Sequence, residues 1–230
     1  MVSRHNLKTL SILLFCVLSS SLAAADNYKL QRGTKAPEKG VSAEISGVLD
    51  PATFQIHDES GVLCELWLVK TPDVKPNFAS TFSIQYPLTP GQLLGVLRVP
   101  DKRRFKDFRG QELKPGVYTL RYGQQPEDGN HIGTSESGDF ILALPAAHDQ
   151  KKAVIQGFEK LSQHSAKAAG STHPAIFALM PFEDDPVKKT ALTHDPNTEF
   201  WILNVKSIGN GNGRKVYLPL RILIVGQSEA

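Results

Sequence analysis

Cysteine is scarce in this chain: Cys16 and Cys64 are the two present. Cys16 falls within residues 1–25, where basic Arg4 and Lys8, an apolar stretch over 10–18 and Ala23-Ala24-Ala25 succeed one another in the order of a secretory signal peptide. Cleavage is expected between Ala25 and Asp26, so the product is exported, periplasmic or extracellular. Cys64 is then alone, which excludes an internal disulfide. Bulky Phe15 before Cys16 argues against lipid attachment there. No later apolar run is long enough to cross a bilayer, since each is broken by charge, Pro or Gly, and no transmembrane segment is expected in the mature chain. Strong charge is lacking as well. Loss of Arg4 and Lys8 takes two from 26 basic residues that face 23 acids, leaving a formal charge of +1 and no electrostatic case for nucleic acid. There is no internal repeat.

What is present is a period of two. Residues 26–40 are polar and without periodicity, and are expected to be a flexible N-terminal tail. From 41 to 226 the pattern indicates one β-rich domain, with a short C-terminal tail at 227–230. Strands are predicted over 42–49, 53–57, 62–69, 81–86, 91–99, 116–122, 139–144, 200–206 and 216–225, with a short one near 175–180. Turn pairs such as Asp50-Pro51, Ser60-Gly61 and Pro115-Gly116 separate them. Tyr118, Leu120 and Tyr122 share one face of their strand, whereas Thr119 and Arg121 mark the other face as wet. Residues 140–144 are apolar on both faces, as a doubly covered central strand requires. Cys64 alternates with Val62, Leu66 and Leu68, which makes it a buried, inert thiol. Trp67 and Trp201 belong to the core by the same argument.

One amphipathic helix, inserted late at about 150–165, is predicted from Val154, Ile155, Phe158 and Leu161, with Asp149 as its cap and Gly157 as a weak point. The fold expected is therefore all-β: sandwich-like antiparallel sheets with one helix. The run 209–213 is a hairpin tip; it lacks the Gly-Lys-Ser/Thr ending and following helix of a phosphate-binding loop. The basic run Lys102-Arg103-Arg104-Phe105-Lys106 is diluted by Asp101 and Asp107, as a solvated face is.

No complete catalytic pattern occurs. Gly133-Thr134-Ser135-Glu136-Ser137 breaks the nucleophile-elbow pattern at its last position. Ser135, His131 and Asp139, four apart in one loop, are a poor basis for a triad. The segment that stands out is 123–139, far longer than a hairpin needs. Its Asp128, Asn130, His131, Thr134 and Asp139 are the candidate ligand-binding residues, although a well-bonded polar turn would be the simpler account. The run PGVYTLRYGQQPEDGNHIGTSESGDFILALPAA, followed by STHPA at 171–175, resembles an uncharacterised family of exported bacterial (planctomycete-like) proteins. The resemblance implies secretion and gives no activity.

The expected function is thus an exported, non-enzymatic β-sandwich binding or envelope-associated module without a cofactor. Its partner would be a small molecule, a glycan or an envelope protein, met at 123–139. The alternative is a secreted zinc-type enzyme using His131, His173 and His194 with Asp128 or Glu127 nearby. A third account is a purely structural envelope protein.

Overall fold

A computed structural model of the chain describes residues 27–37, 39–125, 138–182 and 187–228. Residues 1–25, expected to be a signal peptide, lie outside the described residues. No described helix is long and apolar enough to cross a membrane.

The described chain is antiparallel β with one substantial helix. In order it runs β1 (Lys29–Thr34), a single helical turn α1 (Ala43–Ser46), β2 (Leu49–Asp58), β3 (Gly61–Val69), β4 (Leu93–Val99), β5 (Phe105–Lys106), β6 (Glu112–Leu113), β7 (Gly116–Gln124) and β8 (Asp139–Pro145). Then come α2 (Phe158–Ala169), β9 (Ile176–Ala178), β10 (Ala191–Asp195), β11 (Phe200–Val205), β12 (Ile208–Gly211), β13 (Arg214–Tyr217) and β14 (Leu220–Val225).

Seven strands form one sheet in the order β1-β2-β3-β4-β7-β8-β9, and three form a second, β10-β11-β14. The sheets meet along both seams. Leu179 bridges to Ile222 and Met180 N–H donates to Arg221 C=O at 2.8 Å. On the other side β1 lies against β10, and the Tyr28 ring meets Trp201 edge-on at 5.3 Å. Between them lies one core, to which Ile56, Cys64, Leu66, Tyr118, Leu120 and Tyr122 contribute from the large sheet and Leu203, Ile222 and Ile224 from the small one. Burial pushes the Cys64 thiol well above its ordinary pKa, so it stays protonated and inert.

The large sheet is covered on its outer side too, and this is why β8 is apolar throughout. Ile141 and Ala143 face the core, while Phe140, Leu142 and Leu144 face α2 and Leu161. Ser165, inside the helix, donates to Ala143 C=O at 2.8 Å and accepts from Ala175 N–H at 3.0 Å, fastening α2 to the sheet.

Several expectations are corrected. The 26–40 tail contains β1, paired with β2 from Lys29↔His57 to Thr34↔Ala52; its polar residues suit a sheet edge, where charge is favoured. Residues 42–49 do not start as a strand: Ser42 caps α1 through Ile45 N–H, and Val41, Ile45 and Val48 pack about Trp67. Residues 81–86 form no strand, and 216–225 is split around Pro219, which has no N–H for a ladder. The helix begins at Phe158 rather than near 150, because Gly157 takes φ +89°, outside helical geometry. Asp149 does not cap it. It pairs with Arg121, which is fully buried, as is Thr119, so the face read as wet is closed. The tip at 209–213 is a hairpin, β12–β13, turning at Asn212-Gly213 with positive φ at both positions. In the basic run, Arg103 pairs with Asp58 and Phe105 is buried.

Candidate functional site

Asp128, Asn130, His131 and Thr134, with Glu127 and Ser135, lie outside the described residues. The two roots of their excursion are described. β7 and β8 pair as far as Gln124↔Asp139, and Gln125 N–H donates to Gly138 C=O at 2.8 Å. Gly138 N–H in turn reaches Ser83 C=O at 2.7 Å, so the excursion starts and returns against the 81–86 segment.

Asp139, expected to face a ligand, faces inward. Its carboxylate accepts from Gln85 N–H at 2.6 Å and from the Tyr122 hydroxyl, to which Gln124 Nε2 donates at 2.8 Å. Strand alternation could not reveal this, because the partner segment at 85 is distant in sequence. Burial holds the Asp139 carboxyl above its ordinary value of 3.8, and burial with the adjacent carboxylate drives the Tyr122 phenol far up.

The sign of the linkage follows. A carboxyl raised in the folded state binds its proton longer folded than unfolded. Its stabilising contribution is complete below the unfolded value and is lost as pH rises through the folded one. Urea unfolding of wild type and Asp139→Asn across mildly acidic to neutral pH should therefore show wild type losing stability relative to the variant as pH rises. A pH-independent difference between the two would contradict this account of Asp139.

Of the three candidate histidines, His173 and His194 are described and lie on separate segments. His173 sits in an exposed turn closed on Ser171 Oγ, accepting its N–H at 3.0 Å. His194, in β10, stacks on Trp201 with ring centroids 4.5 Å apart and an 18° tilt, and its Nε2 lies 3.1 Å from Glu199 Oε2. Among the described residues no three His, Cys, Asp or Glu side chains are placed to hold a metal ion. His131 lies outside them.

What the sequence did not indicate is a cleft of about 650 Å³ beside the roots of the excursion. It is lined by the β12–β13 hairpin with Arg214 and Val216, by the 74–78 segment with Lys75 and Phe78, and by Phe182. Gln85 joins the two features: its N–H holds Asp139, and its Oε1 accepts the Phe182 N–H at 2.8 Å. The Phe182 ring leans on Tyr86 at 4.6 Å, and the Tyr217 hydroxyl donates to Val187 C=O at 3.0 Å, so both aromatic rings are held. The exposed large apolar side chains of the described surface are Phe82, Phe182, Ile208, Val216 and Tyr217, and all belong to segments that build this cleft or adjoin it. Such clustering marks a recognition surface. A second hollow of about 620 Å³ beside His194 and Asn204 has no comparable exposed aromatic group.

Comparison with known protein families, curated proteins and solved structures finds no match to this chain.

Proposed function

We propose that the protein is an exported, non-catalytic binding module that takes its ligand in the cleft formed by residues 74–87, Phe182 and 211–218, beside the 123–139 excursion. The observation that carries this is that exposed Phe182, Val216 and Tyr217 share one concave surface, whose lining residue Gln85 is hydrogen-bonded to the root of that excursion at Asp139. Export rests on the 1–25 pattern and on the resemblance of 115–147 and 171–175 to exported bacterial proteins. The lack of any complete catalytic pattern in the sequence favours binding over turnover.

The test is native purification from the exporting cell, with mass spectrometry of released small molecules and glycans. Wild type is expected to carry a compound that Phe182→Ala/Tyr217→Ala does not, and Asp128→Ala/His131→Ala should retain less of it. Equal retention by wild type and both variants would sink the proposal. So would a wild type that carries nothing and shows no thermal shift with acidic or neutral glycans, peptides or organic acids; that result fits a structural envelope protein.

A further inference from the structure

We infer that the ligand of this cleft is an acidic glycan, with its anionic groups on Lys75 and Arg214 and its sugar faces on Phe182 and Tyr217. The inference rests on the cleft being the binding site and names the chemistry it selects.

Two cations, Lys75 and Arg214, line the cleft on separate segments, and no carboxylate lines it among the described residues. Neither side chain forms an ion pair among the described residues, in contrast to Arg98, Arg103 and Arg121, which pair with Glu65, Asp58 and Asp149; the charge that acts on Lys75 is the buried Asp139 carboxyl. Two cations beside an apolar surface, Lys75 facing a buried carboxyl and Arg214 without an ion pair among the described residues, set up a field for an anion. The guanidinium fork suits a carboxylate or sulfate oxygen pair in particular.

The polar remainder suits hydroxyl groups. Asn77 and Asn212 both line the cleft, are exposed, and have side chains without a hydrogen-bond partner in the described structure. Each offers one acceptor and two N–H donors, the combination that vicinal sugar hydroxyls satisfy. Phe182 and Tyr217 are held from behind, by Tyr86 and by Val187 C=O, and keep 36% and 42% of their surface exposed. Rings that are fixed and half-open provide apolar area at little entropic cost, which is what the C–H face of a pyranose needs.

Two other anions fit less well. A single phosphate is bound by donors converging from a helix N-terminus or a nest, and here the cations come from separate segments, with no helix among the described residues that line the cleft. An anionic membrane surface would call on Phe82, which is 98% exposed, but a bilayer is flat and these aromatic rings line a hollow.

The experiment is calorimetric titration of the mature protein with short galacturonate, alginate and sulfated galactan oligosaccharides, each beside its neutral counterpart. At least one acidic oligosaccharide is expected to bind about tenfold or more tightly than its neutral form, as desolvated charge pairs allow. That affinity should fall about tenfold in Lys75→Gln/Arg214→Gln, fall in Phe182→Ala/Tyr217→Ala, and weaken as salt rises from about 0.05 to about 0.5 M. All four positions are at least partly exposed, so unchanged thermal melts serve as the folding control. Equal binding of neutral oligosaccharides, lost in the aromatic variant, would overturn the acidic assignment and leave the cleft standing. Binding to phosphatidylglycerol vesicles alone, lost in Phe82→Ser, would overturn it in favour of a membrane surface. Absence of binding to every oligosaccharide would overturn it outright.

Discussion

Arg121→Met is expected to lower the unfolding free energy by about 3–5 kcal/mol, the usual cost of breaking a buried ion pair from one side. Arg121 is fully buried and every one of its five N–H donors has a partner. Nε and Nη2 grip Asp149 at 2.8 and 2.7 Å, Nη1 donates to Gly91 C=O at 3.0 Å and Ala153 C=O at 2.7 Å, and Nη2 also reaches Lys151 C=O. Asp149 accepts a further bond from Thr119 Oγ1 at 2.5 Å. One guanidinium thus closes the irregular 149–155 segment over the outer face of β7. The fit beneath it is tight: Gly91 has φ +83°, and a Cβ there would lie 1.9 Å from Ile155 carbonyl oxygen.

Asp149→Ala should cost a similar amount, since it strands the guanidinium. Arg121→Met/Asp149→Leu removes both charges, which by itself can be neutral or stabilising. Here it should recover only part of the loss, because the Ala153 and Lys151 carbonyls still lack their donor, while Gly91 C=O keeps the Ile155 N–H at 3.2 Å. Equilibrium denaturation of the four proteins completes the cycle. A loss below about 1 kcal/mol for Arg121→Met, the level of an exposed pair, would mean that the segment is not closed as described.

Asp107→Ala is expected to cost about 3–4 kcal/mol, as removal of an acceptor shared by several buried donors does. The Asp107 side chain is inaccessible to solvent and accepts four bonds. Oδ1 takes Arg109 N–H at 3.0 Å and Gln111 N–H at 2.7 Å; Oδ2 takes Gln111 Nε2 at 2.9 Å and Ile176 N–H at 3.1 Å. The first pair shapes the β5–β6 turn, and the second ties that turn to the start of β9. Asp107→Asn keeps one oxygen and turns an NH2 toward the other two donors, so it should fall between wild type and Asp107→Ala in urea titrations. Equal stability of the Asn variant and wild type would show that the second pair contributes nothing.

The sequence disclosed strands where burial leaves a simple pattern. β8 is covered on both sides and is accordingly apolar throughout, and the core face of β7 shows in Tyr118, Leu120 and Tyr122. It misled where the covering element has no regular pattern of its own. Arg121 looked solvent-facing because the segment that buries it has no secondary structure, and Asp149 looks the same whether it caps a helix or grips an arginine. β1 was invisible because an edge strand with one apolar residue, Leu30, leaves no alternation to read. For the candidate site the difficulty is distance along the chain. Polar loop residues advertise themselves locally, whereas the cleft is assembled from residues near 75, 182 and 214, and Phe82 and Phe182 acquire meaning only when seen to be exposed.

The meeting of the two sheets at β9–β14 and β1–β10 bears on behaviour in crowded surroundings. At the β9–β14 margin the Leu179–Ile222 bridge joins the layers, and at the β1–β10 margin a neighbouring molecule meets the exposed Lys29 and Arg32 of β1. Bridging at one margin and basic charge at the other both disfavour the addition of a strand from a second chain.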